Sequence, residues 1–248
     1  MSWQQDYLQR FYGASRGWVD GTTEFHAMCA AHIATGSDIL EVGAGPSNPT
    51  SRYLSSLGRL SGADIDPAVR SNDALADVCV LATATYPFAD ASFDACVSNY
   101  VLEHVEDPIA HLSEVERILR PGGVYLFRTP NRYHFVTFAS RLTPHWFHHA
   151  VANRLRNLPQ DAPDPYPTRY RLNSRDAIRG AAGRTGFRVR EIRMVEKEPS
   201  YGMASRYLFL AFMLYERLVN SSAIFEGVRV NVFGVLEQAS DRDRPVIS

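Results

Sequence analysis

The chain has 248 residues, a formal net charge of −1, 45% hydrophobic and 21% charged residues. That length accommodates one large domain or two small ones with a sizeable core, and the composition is that of an ordinary globular protein. The near-zero net charge excludes a global electrostatic field for nucleic acid or membrane. Lys197 is the only lysine, so nearly all basic residues are arginines, which reads as a genomic composition bias. Cys29, Cys79 and Cys96 lack metal spacing and read as reduced residues of a cytoplasmic protein. The polar N-terminus MSWQQDYLQR does not read as a signal peptide.

In chain order, apolar spacing without proline predicts helices over 3–12 and 22–34. Residues 38–42 read as a first strand. A helix over 48–57 follows, opening on Asn48-Pro49, a cap and then proline at the first helical position. LSGADID ends a second strand near Asp64, DVCVL is a third and FDACVSN (93–99) a fourth. DPIAHLSEVERILR is an amphipathic helix with Ile109, Leu112, Val115, Ile118 and Leu119 on one face; PGG stops it and VYLFRT is a fifth strand. SRDAIRGAAGRTGF reads as a helix, and RVREIRMV and RVNVFGVLE as two later strands. Alternating strands and helices give an α/β class with a mostly parallel sheet, read as one domain with insertions near 130–172 and 198–226.

In such a sheet, ligands bind outside the carboxyl ends of the strands. Glu41, Gly43, Asp64 and Asn99 all fall there. The turn Gly43-Ala44-Gly45 lets a ligand approach the main chain. An acid about twenty residues on can accept both hydroxyls of a ribose, so a nucleoside-bearing cofactor is implied. A dinucleotide fingerprint needs a third glycine where this chain has Asn48, and it makes no use of Glu41.

The chain resembles the class I S-adenosylmethionine-dependent methyltransferases of the small-molecule type. The resemblance rests on ILEVGAGPS, GADIDP, YPFADASFDACVSNYVLEHVEDP and RILRPGGVYLFRTPN, in that order over about residues 36–131. It implies a Rossmann-like fold with a seven-stranded sheet, helices on both faces and an antiparallel last strand. It implies S-adenosyl-L-methionine as cofactor and S-adenosyl-L-homocysteine as product. By resemblance, Glu41 lies near the methionine end, Gly43, Ala44 and Gly45 pass it over the backbone, Asp64 binds the ribose and Ile65 packs on adenine. Asn99 sits near the methionine part. Two departures stand out. Ser47 replaces the usual third glycine, and LATATYPF offers Ala82 where the family often has aspartate, leaving Thr83, main chain or water to meet the adenine amine.

A sulfonium is a poised methyl donor, so the protein supplies alignment and exclusion of water. An oxygen acceptor also needs its proton removed. His104 in VLEHV and His134 in NRYHF fall at the ligand end and are the candidate bases. His145, His148 and His149 have spacing that could ligate metal, but no carboxylate cluster accompanies them, so no metal is expected. Glu103 reads as structural.

The segment 130–172 carries Tyr133, Phe135, Phe138, Trp146, Phe147, Tyr166 and Tyr170, with six arginines (132, 141, 154, 156, 169 and 171) against Asp161 and Asp164. It reads as a lid over a polar or anionic acceptor, a metabolite or a sugar, held by Arg169, Tyr170 and Arg171, with the arginines on one side if the stretch is extended. In the second insertion, YLFLAFMLYERLV reads as a helix packing on the first insertion or on a second subunit in a homodimer, and its apolar run is too short to span a bilayer. The expected function is methyl transfer to a small molecule, most simply at oxygen. Rival readings are N- or C-methylation, a cofactor-binding protein without methylation activity, a nicotinamide oxidoreductase and an RNA methyltransferase. No nucleic-acid or membrane partner is expected.

Overall fold

The computed structural model describes residues 2–13, 17–137, 166–197, 199 and 202–239. Seven strands form one sheet: β1 Ser37–Val42, β2 Gly58–Asp64, β3 Asp77–Val80, β4 Phe93–Asn99, β5 Leu119–Pro130, β6 Phe187–Val195 and β7 Asn231–Gln238. Their order is β3-β2-β1-β4-β5-β7-β6, with the last strand antiparallel to the other six. The helices are α1 Trp3–Tyr12, α2 Gly21–His32, α3 Pro49–Leu57, α4 Pro108–Ile118, α5 Arg175–Ala182 and α6 Arg206–Asn220.

By contacts the chain divides into two compact units. One comprises residues 25–130, 168–193 and 232–248, and holds most of the sheet. Its centre is apolar because β1, β4 and β5 run buried side by side: Ile39, Leu40, Cys96, Val97, Leu126 and Phe127 are closed to solvent. The parallel register sets Val42 beside both Ala63 and Ser98, so β1, β2 and β4 end level. Helix α3 begins where the sequence predicts. Asn48 Oδ1 accepts from the Thr50 and Ser51 N–H groups, and Pro49 fills the first helical position. Strand β5 begins earlier than VYLFRT. Leu119 already pairs with Phe93, and the PGG turn, with Gly122 at φ 79°, produces the register shift before Ala95 meets Val124.

The other unit comprises residues 1–24, 131–167 and 194–231. It gathers the N-terminal segment with most of both predicted insertions. Helix α1 opens on a capping box in which Ser2 and Gln5 exchange hydrogen bonds. Phe209 of α6 is fully buried against the rings of Trp3, Tyr7, Phe11 and Tyr12, at centroid distances of 5.5–6.4 Å. Phe135 stacks on Phe212 at 5.4 Å, so the start of the first insertion packs on the helix of the second, one of the two packings that the sequence leaves open. Among the described residues no helix is long and apolar enough to cross a membrane, and no group of three or more His, Cys, Asp or Glu side chains forms a metal site.

Candidate active site

Three strand ends of the sheet-bearing unit converge. Glu41, near the end of β1, is only 2% exposed, and its Oε2 accepts a 2.6 Å hydrogen bond from Ser51 Oγ on α3. Burial pushes its carboxyl up to about 7, opposed by the Ser51 bond and reinforced by the charge of Asp64. Gly43 and Gly45 follow at φ 71° and 55°, backbone that only glycine adopts at little cost. A Cβ on Gly43 would overlap the Val101 side chain, whereas the space before Gly45 is open. Ala44 is buried beside them.

Asp64 ends β2 half-buried. Its Oδ2 accepts from the Gly45 N–H at 2.8 Å and its Oδ1 from the Asp66 N–H at 2.8 Å. Each oxygen keeps further acceptor capacity, so the carboxylate is oriented by the main chain and still able to bind a diol. Ile65 is 58% exposed, an apolar surface beside that acid. Thr83, beyond β3, is exposed, and its hydroxyl is tied to the main chain of Thr85.

Asn99 closes β4. Its Nδ2 donates to Thr50 Oγ1 at 3.1 Å, and its Oδ1 is buried without a hydrogen-bond partner. A buried acceptor lacking a donor is costly, which marks a place for a donor from a ligand. Thr50 Oγ1 also lies 3.3 Å from Nε2 of His26, whose ring stacks on Tyr53 at 4.3 Å. Sequence reasoning missed Thr50, Ser51 and His26, since none belongs to a glycine or acid motif. Position decides the role of Thr50 and Ser51, because α3 starts directly after the glycine turn and its first turn borders the same space; His26, on α2, reaches it through Thr50.

The next residue, Tyr100, holds φ 60°, rare for an aromatic residue. Its N–H donates to the Arg128 carbonyl, and the Arg128 guanidinium lies 4.6 Å from its ring centre. His104 is half-buried in the loop after β4, with its N–H on Val101 O at 2.9 Å. Glu103, read from sequence as structural, is buried and raised to about 7 by its burial. Thr129 Oγ1 donates to it at 3.1 Å, and Asn173 Nδ2 donates to Thr129 Oγ1 at 2.7 Å.

The residues that the sequence offers for holding an acceptor are placed differently from an extended strand. Tyr170 has φ 52°, which turns the stretch, while the N–H groups of Arg169 and Tyr170 both reach the Glu103 carbonyl. The Arg171 guanidinium donates to Glu106 O at 2.7 Å, and that of Arg169 lies 3.7 Å from the Glu106 carboxylate. Both arginines therefore engage the loop after β4. His134 belongs to the other unit, and is 2% exposed with Nε2 3.7 Å from Glu196 Oε2. Burial lowers the imidazole to about 4 and raises Glu196 to about 8, so both neutral forms are favoured. Phe138, Arg141, His145, Trp146, Phe147, His148, His149, Arg154, Arg156, Asp161 and Asp164 lie outside the described residues.

Residues 40–127 match a family described as a methyltransferase domain. A probable S-adenosylmethionine-dependent methyltransferase of Mycolicibacterium smegmatis is 38% identical over 109 residues, 42% of each chain. A demethylmenaquinone methyltransferase of Mycobacterium sp. (strain JLS) is 36% identical over 115 residues, 44% of this chain and 50% of that one. The chain spans half or less of the length of these curated relatives. Among solved structures, a methyltransferase in complex with the Haloferax volcanii Trm112 activator aligns over 96% of this chain and 95% of its own, at TM-score 0.58 and 18% identity. Geranyl diphosphate C-methyltransferase of Streptomyces coelicolor A3(2), solved with S-adenosyl-L-homocysteine, aligns over 88% of this chain and 76% of its own, at TM-score 0.55 and 15% identity. A [4+2]-cyclase, SpnF, aligns over 88% and 81%, at TM-score 0.55 and 14% identity. These structural likenesses establish the fold alone.

Proposed function

We propose that this chain, whose residues 40–127 are a methyltransferase domain of the S-adenosylmethionine-dependent kind, transfers the cofactor's methyl group to an oxygen of a small polar or anionic molecule. The observation that carries the reading is the cradle itself: buried Glu41, the open face of Gly45, an Asp64 oriented by two main-chain donors, and the partnerless Asn99 Oδ1. These fit the cofactor's parts. Asp64 accepts from the ribose, Ile65 covers one adenine face, with Thr83 near its rim, and Glu41 and Asn99 Oδ1 offer acceptors to the ammonium.

When bound, the cofactor supplies an electrophilic methyl group, so the chain's work is placement and exclusion of water. Main-chain approach at Gly43, Ala44 and Gly45 fixes the cofactor without side chains. His104, half-buried in the loop after β4, takes the acceptor proton. His134 is not given that role, because its burial keeps the imidazole from gaining a proton near neutral pH. Arg169, Tyr170 and Arg171 border the same loop and meet the acceptor's polar end. The small-molecule assignment is supported by the demethylmenaquinone methyltransferases among the relatives.

The test is direct. Mass spectrometry of the purified protein, and calorimetry with S-adenosyl-L-homocysteine and with NAD, identify the cofactor; binding of NAD alone overturns the reading. A screen of acceptors with methyl-labelled cofactor then identifies the product. Cofactor binding without transfer to any acceptor would instead mark a protein that binds the cofactor for another purpose.

A further inference from the structure

Within the unit of residues 1–24, 131–167 and 194–231, a half-open cavity of about 560 Å³ is lined by Phe11, Gly17, Trp18, Met213 and Arg217. Its volume lies in the range of small-molecule sites, and its wall joins the apolar side chains of Phe11, Trp18 and Met213 to the guanidinium of Arg217 and exposed main chain. Trp18 is held edge-on against Tyr12 at 5.3 Å, so one flat wall is fixed. Met213 supplies a polarizable wall that adapts to a ring.

The cation is also held. Arg217 donates one Nη to the Phe11 carbonyl at 3.3 Å, keeps its Nε 3.4 Å from Glu216 Oε2, and lies 5.3 Å over the Tyr12 ring. Glu216 is buried and anchored in turn by the Tyr12 hydroxyl at 3.1 Å and Asn220 Nδ2 at 2.8 Å. A guanidinium fixed on three sides has already lost much of the rotamer freedom that binding would cost it. Glu216 offsets part of its charge, and the guanidinium of Arg10, 5.4 Å over the Phe11 ring, adds positive charge beside the cavity.

We propose that this cavity binds an aromatic carboxylate, with its ring against Phe11, Trp18 and Met213 and its carboxylate on Arg217. A planar carboxylate matches the flat fork of the guanidinium, and a flat ring matches the aromatic walls. The proposal is independent of the methyl-transfer reading, because its test measures binding rather than turnover.

Calorimetric titration of the full chain with 2-naphthoate and with uncharged 2-naphthamide, at physiological ionic strength, provides the test. Saturable one-to-one binding of the acid is expected, with the amide at least about tenfold weaker because a charge-assisted bond is lost. Arg217→Gln should weaken the acid by about tenfold and leave the amide unchanged. Met213→Trp, which fills the cavity, should remove both. Arg217 is about half exposed and Glu216 keeps its bonds from Tyr12 and Asn220 in the variant, so Arg217→Gln decides the case even where Met213→Trp lowers stability. Absence of saturable binding, equal affinity for acid and amide, or an unchanged affinity in Arg217→Gln overturns the proposal.

Discussion

Ser51 Oγ donates to Glu41 Oε2 at 2.6 Å, and both residues are closed to solvent. One hydroxyl does not offset the loss of water around a carboxylate, so Glu41 holds its proton up to about pH 7. A cofactor ammonium would supply the missing positive charge and expel that proton. Calorimetry of S-adenosyl-L-homocysteine at pH 6, in buffers of different ionisation enthalpy, should therefore show release of close to one proton, falling toward zero at pH 8. Glu41→Gln should abolish the release. An unchanged release in that variant would remove Glu41 from the site.

Asp64 links two strands' loops through the N–H groups of Gly45 and Asp66 and is the acid proposed to bind the ribose. Asp64→Ala should weaken S-adenosyl-L-homocysteine by about 1–3 kcal/mol, through loss of charged hydrogen bonds and of loop order. Asp64→Asn, which keeps one acceptor oxygen, should lose less. Equal affinity of wild type and Asp64→Ala would sink the ribose assignment.

Gly43 joins a positive φ to a close neighbour, Val101. Gly43→Ala should lower unfolding stability by about 1–3 kcal/mol, from strain and overlap together. Val101→Ala in that background removes only the overlap. A double-mutant cycle by denaturant unfolding should show partial rescue; full additivity of the two costs would refute the contact.

The two histidines separate by readout. His134→Ala leaves Glu196 buried beside a cavity and should cost roughly 2–3 kcal/mol of stability without changing cofactor affinity. His104→Ala should leave cofactor affinity unchanged. With the acceptor found by screening, it should lower turnover by about 10²- to 10⁴-fold and flatten the rise of rate with pH. Wild-type turnover in His104→Ala would leave proximity as the sole source of rate.

The sheet end was legible in the sequence, because its signals are local. Strand periodicity places Glu41 and Asp64, and glycine needs no partner to permit positive φ at 43 and 45. What escaped depends on distant partners. Nothing in SNYVLEHV marks Tyr100 for φ 60°, since that conformation comes with its hydrogen bond to Arg128, 28 residues away by number. Tyr170 likewise turns, so the condition of an extended stretch, under which Arg169 and Arg171 share a side, is not met; its N–H meets Glu103 O. His134 looked like a loop histidine at the ligand end; the second insertion, through Tyr215 and neighbouring Glu196, buries it. Glu103 reads as structural from the sequence, but its partner Thr129 and, through it, Asn173 do not.

Glu41 and Glu103 in the sheet-bearing unit and Glu196 in the other share one electrostatic condition. Burial raises their carboxyls from 4.5 to about 7, 7 and 8 respectively. In the unfolded chain the same groups lose their protons near the ordinary carboxylate value. Between those limits these three groups hold protons that the unfolded chain has lost, so their contribution falls as pH rises, while the buried neutral His134 and His111, each lowered to about 4, act in the opposite sense up to about pH 6.5 and leave the decline steepest above it. The full contribution is present below about pH 4.5 and is gone above about pH 8. Each group accounts for at most a few kcal/mol across this window, because a tenfold change in proton affinity is worth about 1.4 kcal/mol. Denaturant unfolding of the cofactor-free protein between pH 5 and pH 8 should show that decline. Glu103→Gln, which cannot ionise and keeps an acceptor for Thr129, should flatten its part between pH 5 and 7 and raise stability at pH 8 relative to wild type. A Glu103→Gln curve parallel to that of the wild type would show that Glu103 is ionised within the fold.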